Sequence, residues 1–144
     1  MVCIFHIGAR FDPVWCRKES AAFAARAGFD KAAQWEIAIA VSELVTNVVK
    51  YAGQGTLTLR RLDDNGRGIE IVVEDDGPGI TDLESAMKDG YSEGRMLCAD
   101  DVPSHGRGLG TGLGAVRRMM DGVSMENRAE GGLRVVAVKW ASAR

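Results

Sequence analysis

The chain carries no strong charge of either sign, no long apolar run and few cysteines, and each shortage closes off a class of function. Its formal net charge is -2, so no field draws it toward nucleic acid or an anionic membrane. No window approaches the roughly 18 apolar residues that a membrane-spanning helix needs. The first seven residues, Met1 to Ile7, lack a basic start and a long apolar stretch followed by small residues. They read as a strand and not as a secretory signal. The three cysteines, Cys3, Cys16 and Cys98, are odd in number and far apart. They suit neither a disulfide framework nor a metal knuckle, so reduced thiols in a cytoplasmic protein are the expectation.

What is present is ordinary for a folded domain: 46% hydrophobic and 26% charged residues in 144 positions. That length supports one domain, residues 1–144, with one core. After the first strand, Asp12-Pro13 has the form of a helix cap followed by proline in the first turn. That helix is expected to pass Trp15, Ala22 and Phe23 and stop at Gly28. Asp30 caps a longer helix that ends at Gly53. Strands at Gly55–Leu62 and Arg67–Asp75 flank Asn65-Gly66, a strong hairpin signal.

Gly77-Pro78-Gly79 breaks the chain. Thr81 and Glu84 have capping-box spacing for a short helix to about Lys88. Between Gly90 and Gly110 periodicity fails, and a lid insertion over about 92–107 is the expectation. A last helix over about 111–121, closed by Gly122, leads to strands Val123–Asn127 and Leu133–Trp140. The order predicts an α+β two-layer sandwich, one mixed β-sheet covered on one face by α-helices.

Three stretches carry chemistry. In the second helix Glu36, Glu43, Asn47 and Lys50 fall within a sector of roughly 60° at 100° per residue. They border an apolar stripe of Ile37, Val41, Leu44 and Val48. A carboxylate with an amide at i+4 can place a general base beside an oxygen ligand for hydrated magnesium. An ordinary solvated flank would show the same residues. In the third strand Ile69, Ile71, Val73 and Asp75 share parity, which turns Asp75 toward the core. A carboxylate so placed needs a donor. The exocyclic amine of adenine is one candidate, with Gly77 and Gly79 leaving room for a flat base; local amides in an Asx turn are another.

The third stretch, Gly106 to Gly114, alternates glycines directly into a helix, an arrangement suited to phosphate. The Walker loop is excluded, because no Gly-Lys-Ser/Thr occurs in the chain. A dinucleotide fingerprint on Gly110-x-Gly112-x-x-Ala115 lacks the strand that must precede it.

In this order the three stretches resemble the GHKL (Bergerat-fold) ATPases. The likeness rests on Glu43 to Ala52, Asp75-x-Gly77-x-Gly79 and Gly108-x-Gly110-x-Gly112, and it covers nearly the whole chain. Within that class the chain is similar to the serine/threonine switch kinases of bacterial stress signalling, through Asp76 to Ile80, Ala86 to Ser92, Val116 to Asp121 and Lys139-Trp140. The resemblance implies ATP and magnesium as cofactors. It makes Asn47 the magnesium ligand, Asp75 the adenine acceptor and Glu43 the base that activates a hydroxyl. It implies nucleotide contacts from Lys50, Gly77, Gly79, Arg107, Gly108, Gly110, Thr111, Gly112 and Leu113. About a dozen extra residues between Tyr91 and Val116 leave open whether Arg95 or Arg107 reaches the terminal phosphate.

The function implied is phosphorylation of a STAS-domain antagonist or scaffold in a partner-switching system, with a PP2C-type phosphatase as a further partner. The alternative is an anti-sigma factor that binds a sigma subunit in a nucleotide-dependent way. A detached histidine-kinase catalytic domain is disfavoured. Its phosphoacceptor hairpin is missing, and the two histidines, His6 and His105, fall in a strand and in the lid.

Overall fold

Two aspartates start the N-terminal helices. In α1 (Pro13–Arg26), Asp12 Oδ1 accepts from the Val14 amide at 2.9 Å. In α2 (Lys31–Tyr51), Asp30 Oδ1 accepts from the Ala33 amide at 2.9 Å. Each cap satisfies an amide that has no partner within its helix, an effect of about 1 kcal/mol. Both helices run into a glycine with left-handed backbone, Gly28 (φ 94°) and Gly53 (φ 86°). Gly53 donates its amide to the Val48 carbonyl at 2.8 Å and closes α2.

The computed structural model describes residues 1–10, 12–63, 66–78, 91–92, 95–96 and 112–141, the two pairs at 91–92 and 95–96 by backbone alone. The remaining elements are β1 (Val2–Ile7), β2 (Gly55–Leu62), β3 (Gly68–Asp75), β4 (Tyr91–Ser92), β5 (Arg95–Met96), α3 (Gly112–Met119), β6 (Gly122–Asn127) and β7 (Leu133–Trp140). The five long strands form one sheet in the order β1-β2-β3-β7-β6.

The α+β sandwich is as expected, but every described strand pair is antiparallel where a mixed sheet was anticipated. The reason lies in the connection from β1 to β2. Two helices return the chain to the edge it left, so Ile7 pairs with Gly55 and β2 runs back along β1. A parallel pair needs a single crossover. The two-residue ladder of β4 and β5 was missed in the sequence, being too short for alternation to register.

The core forms where α2 meets the sheet. Ile37, Val41, Leu44 and Val48 are each at most 2% exposed, as are Leu57, Leu59, Ile69, Ile71, Val73 and Ala137 from the strands. Burying one such Val, Leu or Ile side chain contributes about 1.5–3 kcal/mol. The opposite sheet face carries residues of the other parity and an exposed Arg60–Glu70 ion pair at 2.7 Å.

The last helix ends earlier than expected, at Met119, and Gly122 opens β6 opposite Val138. Lys139 explains the stop. Its Nζ donates to the Met119 carbonyl at 2.8 Å and sits 3.6 Å from Glu36 of α2, tying α3, β7 and α2 together. The short helix anticipated over about 81–88 and the lid over about 92–107 fall largely outside the described residues.

Candidate active site

The registers place several ends at one edge of the sheet. Gly55 pairs with Asp75, Glu74 with Arg134, and Asn127 with Leu133. The C-terminal end of α2 adjoins this edge, because Gly55 follows it by four residues. The start of α3 belongs there too: a Cβ on Gly112 would stand 3.9 Å from Asn47 Nδ2.

Glu43, Asn47 and Lys50 are half-buried on α2, as their sector at the rim of the apolar stripe predicts. Burial pushes the Glu43 carboxyl above its usual range, and the charge of Lys50 two turns on works against that rise. A carboxyl poised upward in this way suits proton transfer near neutral pH better than an exposed one. Glu36 shares the sector but is engaged by Lys139, so it is removed from the site. The Lys50 ammonium lies over the Tyr51 ring, 5.2 Å from its centroid.

Asp75 is half-buried at the end of β3. Its Oδ1 accepts from the Gly77 amide at 2.9 Å and from the Leu133 amide at 3.1 Å. The Asx turn and a ligand-facing role are therefore compatible. The local bonds fall on one oxygen, and Oδ2 makes no hydrogen bond to a described residue. Gly77 packs so closely that a Cβ there would come within 2.7 Å of the Ala52 Cβ. Gly112 and Leu113 begin α3, with Leu113 against the core. Gly79, Arg107, Gly108, Gly110 and Thr111 lie outside the described residues.

One participant escaped the sequence reading. Arg128, in the turn between β6 and β7, donates from Nη1 to the Asp75 carbonyl at 2.7 Å and to Asp76 Oδ1 at 3.2 Å. Its Nε lies 3.1 Å from Glu130 Oε1 and 3.8 Å from Glu74 Oε2. The contacts to Glu74, Asp75 and Asp76 span more than fifty residues of sequence, and no local pattern marks them.

Among the described residues no group of three or more His, Cys, Asp and Glu could hold a metal. The Asn47 amide oxygen, with the Glu43 carboxylate one turn away, fits magnesium as its protein ligand. That ion takes few protein ligands and keeps water and phosphate oxygens for the rest. Cys16 does not suit the part of a thiol nucleophile. It is buried, and burial pushes its thiol up to about 11. Among the described residues no helix is long and apolar enough to cross a membrane.

Comparison with known proteins agrees with this geometry. Residues 14–140 match the family model described as histidine kinase-like ATPase domain. The chain is 36% identical over 135 residues to the serine/threonine-protein kinase RsbT of Bacillus subtilis, covering 93% of this chain and 92% of that one. It is 32% identical over 101 residues to the sensor histidine kinase GtrS of Pseudomonas aeruginosa, covering 66% of this chain and 19% of GtrS. Among solved structures, the mycobacterial sensor histidine kinase MprB superposes with a TM-score of 0.52 at 17% identity, covering 90% of this chain and 94% of that one. That last likeness concerns the fold alone. With the Asn47–Gly112 approach and Asp75 at the same edge of the sheet, the match over residues 14–140 means that this chain belongs to the histidine kinase-like ATPase family, the GHKL class its motifs resemble.

Proposed function

We propose that the chain is an ATP-dependent serine/threonine protein kinase. The observation that carries this reading is the half-buried, upward-shifted Glu43 one turn before Asn47, where Asn47 meets the first residue of α3. The likeness to RsbT, a serine/threonine-protein kinase, supports it. Asp75 would accept from the adenine amine, with the Gly77 amide holding its other oxygen and Gly79 giving the ring access. Lys50, Arg107, Gly108, Gly110, Thr111, Gly112 and Leu113 would meet the rest of the nucleotide. Asn47 would hold magnesium, which supplies charge neutralisation at the phosphates when bound.

Glu43 accepts the proton of an incoming serine or threonine hydroxyl. That oxygen bonds to the γ-phosphorus as the bond to the ADP oxygen breaks, and ADP leaves with the electron pair. The cation that acts on the Glu43 carboxylate among the described residues, Lys50, lies two turns along α2. The protein substrate in this reading is a STAS-domain antagonist or scaffold of a cytoplasmic partner-switching system, with a PP2C-type phosphatase reversing the transfer.

Single-turnover transfer from labelled ATP to a STAS-domain protein of the same operon tests the reading. Glu43→Ala should bind Mg-ATP almost normally and lose transfer by about 10²–10⁴, the usual worth of a general base. Near-wild-type transfer by that variant would remove Glu43 as the base. A wild type that transfers nothing, yet holds a sigma factor tightly, would replace the kinase with the anti-sigma reading.

A further inference from the structure

The contacts around the end of β3 hold more than a carboxylate needs for burial alone. Three donors hold Asp75 at two of its atoms. Its side-chain Oδ1 takes the Gly77 and Leu133 amides, at 2.9 and 3.1 Å. Its backbone carbonyl takes a charged donor, Arg128 Nη1, at 2.7 Å. The neighbouring Asp76 carboxylate takes the same Nη1 at 3.2 Å. Two of these three donors, Arg128 in the turn joining β6 to β7 and Leu133 at the start of β7, lie more than fifty residues on in sequence.

That turn is shaped for the contact. Gly131 and Gly132 both have left-handed backbone, φ 103° and 91°, a conformation costly for residues with a Cβ. At Gly132 a Cβ would also fall on the Asp75 carbonyl oxygen, so only glycine admits so close an approach. Arg128 itself is held in place. The Gly131 amide donates to the Arg128 carbonyl at 3.1 Å, and the Arg128 amide donates to the Gly132 carbonyl at 2.9 Å. The Arg128 side chain is 20% exposed. Glu74 and Glu130 flank its Nε, yet that nitrogen is buried and makes no hydrogen bond of good geometry. An ion pair serving only to anchor the hairpin would spend its best-aligned donor on a carboxylate. Here the shortest bond goes to the main chain of Asp75.

We infer that Arg128 is a positioning residue for the nucleotide base: it holds the Asp75–Gly77 segment so that Asp75 Oδ2, which makes no hydrogen bond to a described residue, meets an exocyclic amine. The inference rests on the adenine role of Asp75 proposed above. A carboxylate fixed in this way rewards a donor at that place and repels an acceptor. Adenine presents an amine where guanine presents a carbonyl oxygen. Arg128 therefore acts on base choice through Asp75, without touching the base.

Dissociation constants for Mg-ATP and Mg-GTP, measured by calorimetry on the full chain, test this. Arg128→Ala should weaken ATP and leave GTP nearly unchanged, so that the preference for ATP drops by about tenfold, the worth of one good hydrogen bond. Arg128→Lys keeps the charge and one donor and should recover part of the preference. If Arg128→Ala does not fold, Arg128→Lys and Arg128→Gln carry the same measurement, with the larger loss expected for glutamine. A folded Arg128 variant that loses thermal stability but keeps the wild-type ratio would reduce Arg128 to a brace for the hairpin and overturn the inference. Asp75→Asn measured alongside separates the two ideas. If it too keeps the wild-type ratio, the adenine role of Asp75 has failed, and the role of Arg128 falls with it.

Discussion

Glu43 shows at the scale of one residue how function and stability pull apart. Its carboxyl holds a proton more tightly in the fold than in the unfolded chain, because burial raises it above the ordinary 4.5. Folding is therefore helped below that ordinary value, and the help is lost as pH climbs through the raised folded value. Above the raised folded value the fold carries a desolvated charge. Glu43→Gln removes the charge and keeps the shape. Its melting temperature should pull ahead of the wild type as pH rises from about 4.5, then hold a constant lead. The variant should lack transfer throughout that range, while the wild type gains it as the carboxyl ionises. A lead that fails to grow with pH would mean that Glu43 is no more strained than an exposed carboxylate. The position of Glu43 on a half-buried helix rim could be read in the sequence from helical spacing alone. The upward shift could not, because it comes from what packs around the rim.

At the scale of elements, local and long-range devices divide the work. Asp12 and Asp30 cap α1 and α2 through neighbours two and three residues on, so both could be read in order along the chain. Asp30→Ala should cost about 1 kcal/mol by urea unfolding, with an unchanged slope. The end of α3 is different. Glycine at 122 has the look of a stop signal, yet it is Lys139, twenty residues away, that caps the helix end at the Met119 carbonyl. Lys139 is also 14% exposed and faces Glu36, so its loss leaves two groups without a partner. Lys139→Met preserves much of the volume and should cost about 1–2 kcal/mol, more than the cap variant. Hydrogen exchange should quicken in α3 and at the rim of α2 beside it. If Lys139→Met unfolds like the wild type, the end of α3 depends on its own turn and not on β7.

For the whole molecule, the antiparallel sheet and the helix layer bring one edge of β3, the end of α2 and the start of α3 together. Mg-ATP at one hundred times its Kd should stabilise the fold by about 2.7 kcal/mol, which raises the melting temperature by roughly 5–10 °C for a domain of this size. Asn47→Ala should keep the fold and lose the part of that rise which depends on magnesium. An equal rise in the variant would take Asn47 out of the metal site. The sequence by itself determined the elements and the parity of their faces. Periods of 3.6 and 2 set which side of α2 is buried and which way Asp75 points, and these depend only on neighbours a few residues away. Tertiary structure alone decided the antiparallel pairing of β1 with β2, the meeting of Asn47 with Gly112, and the grip of Arg128 and Leu133 on Asp75. Those contacts join residues dozens of positions apart. Their energies appear only once loop closure has brought the segments together, so no local pattern carries them.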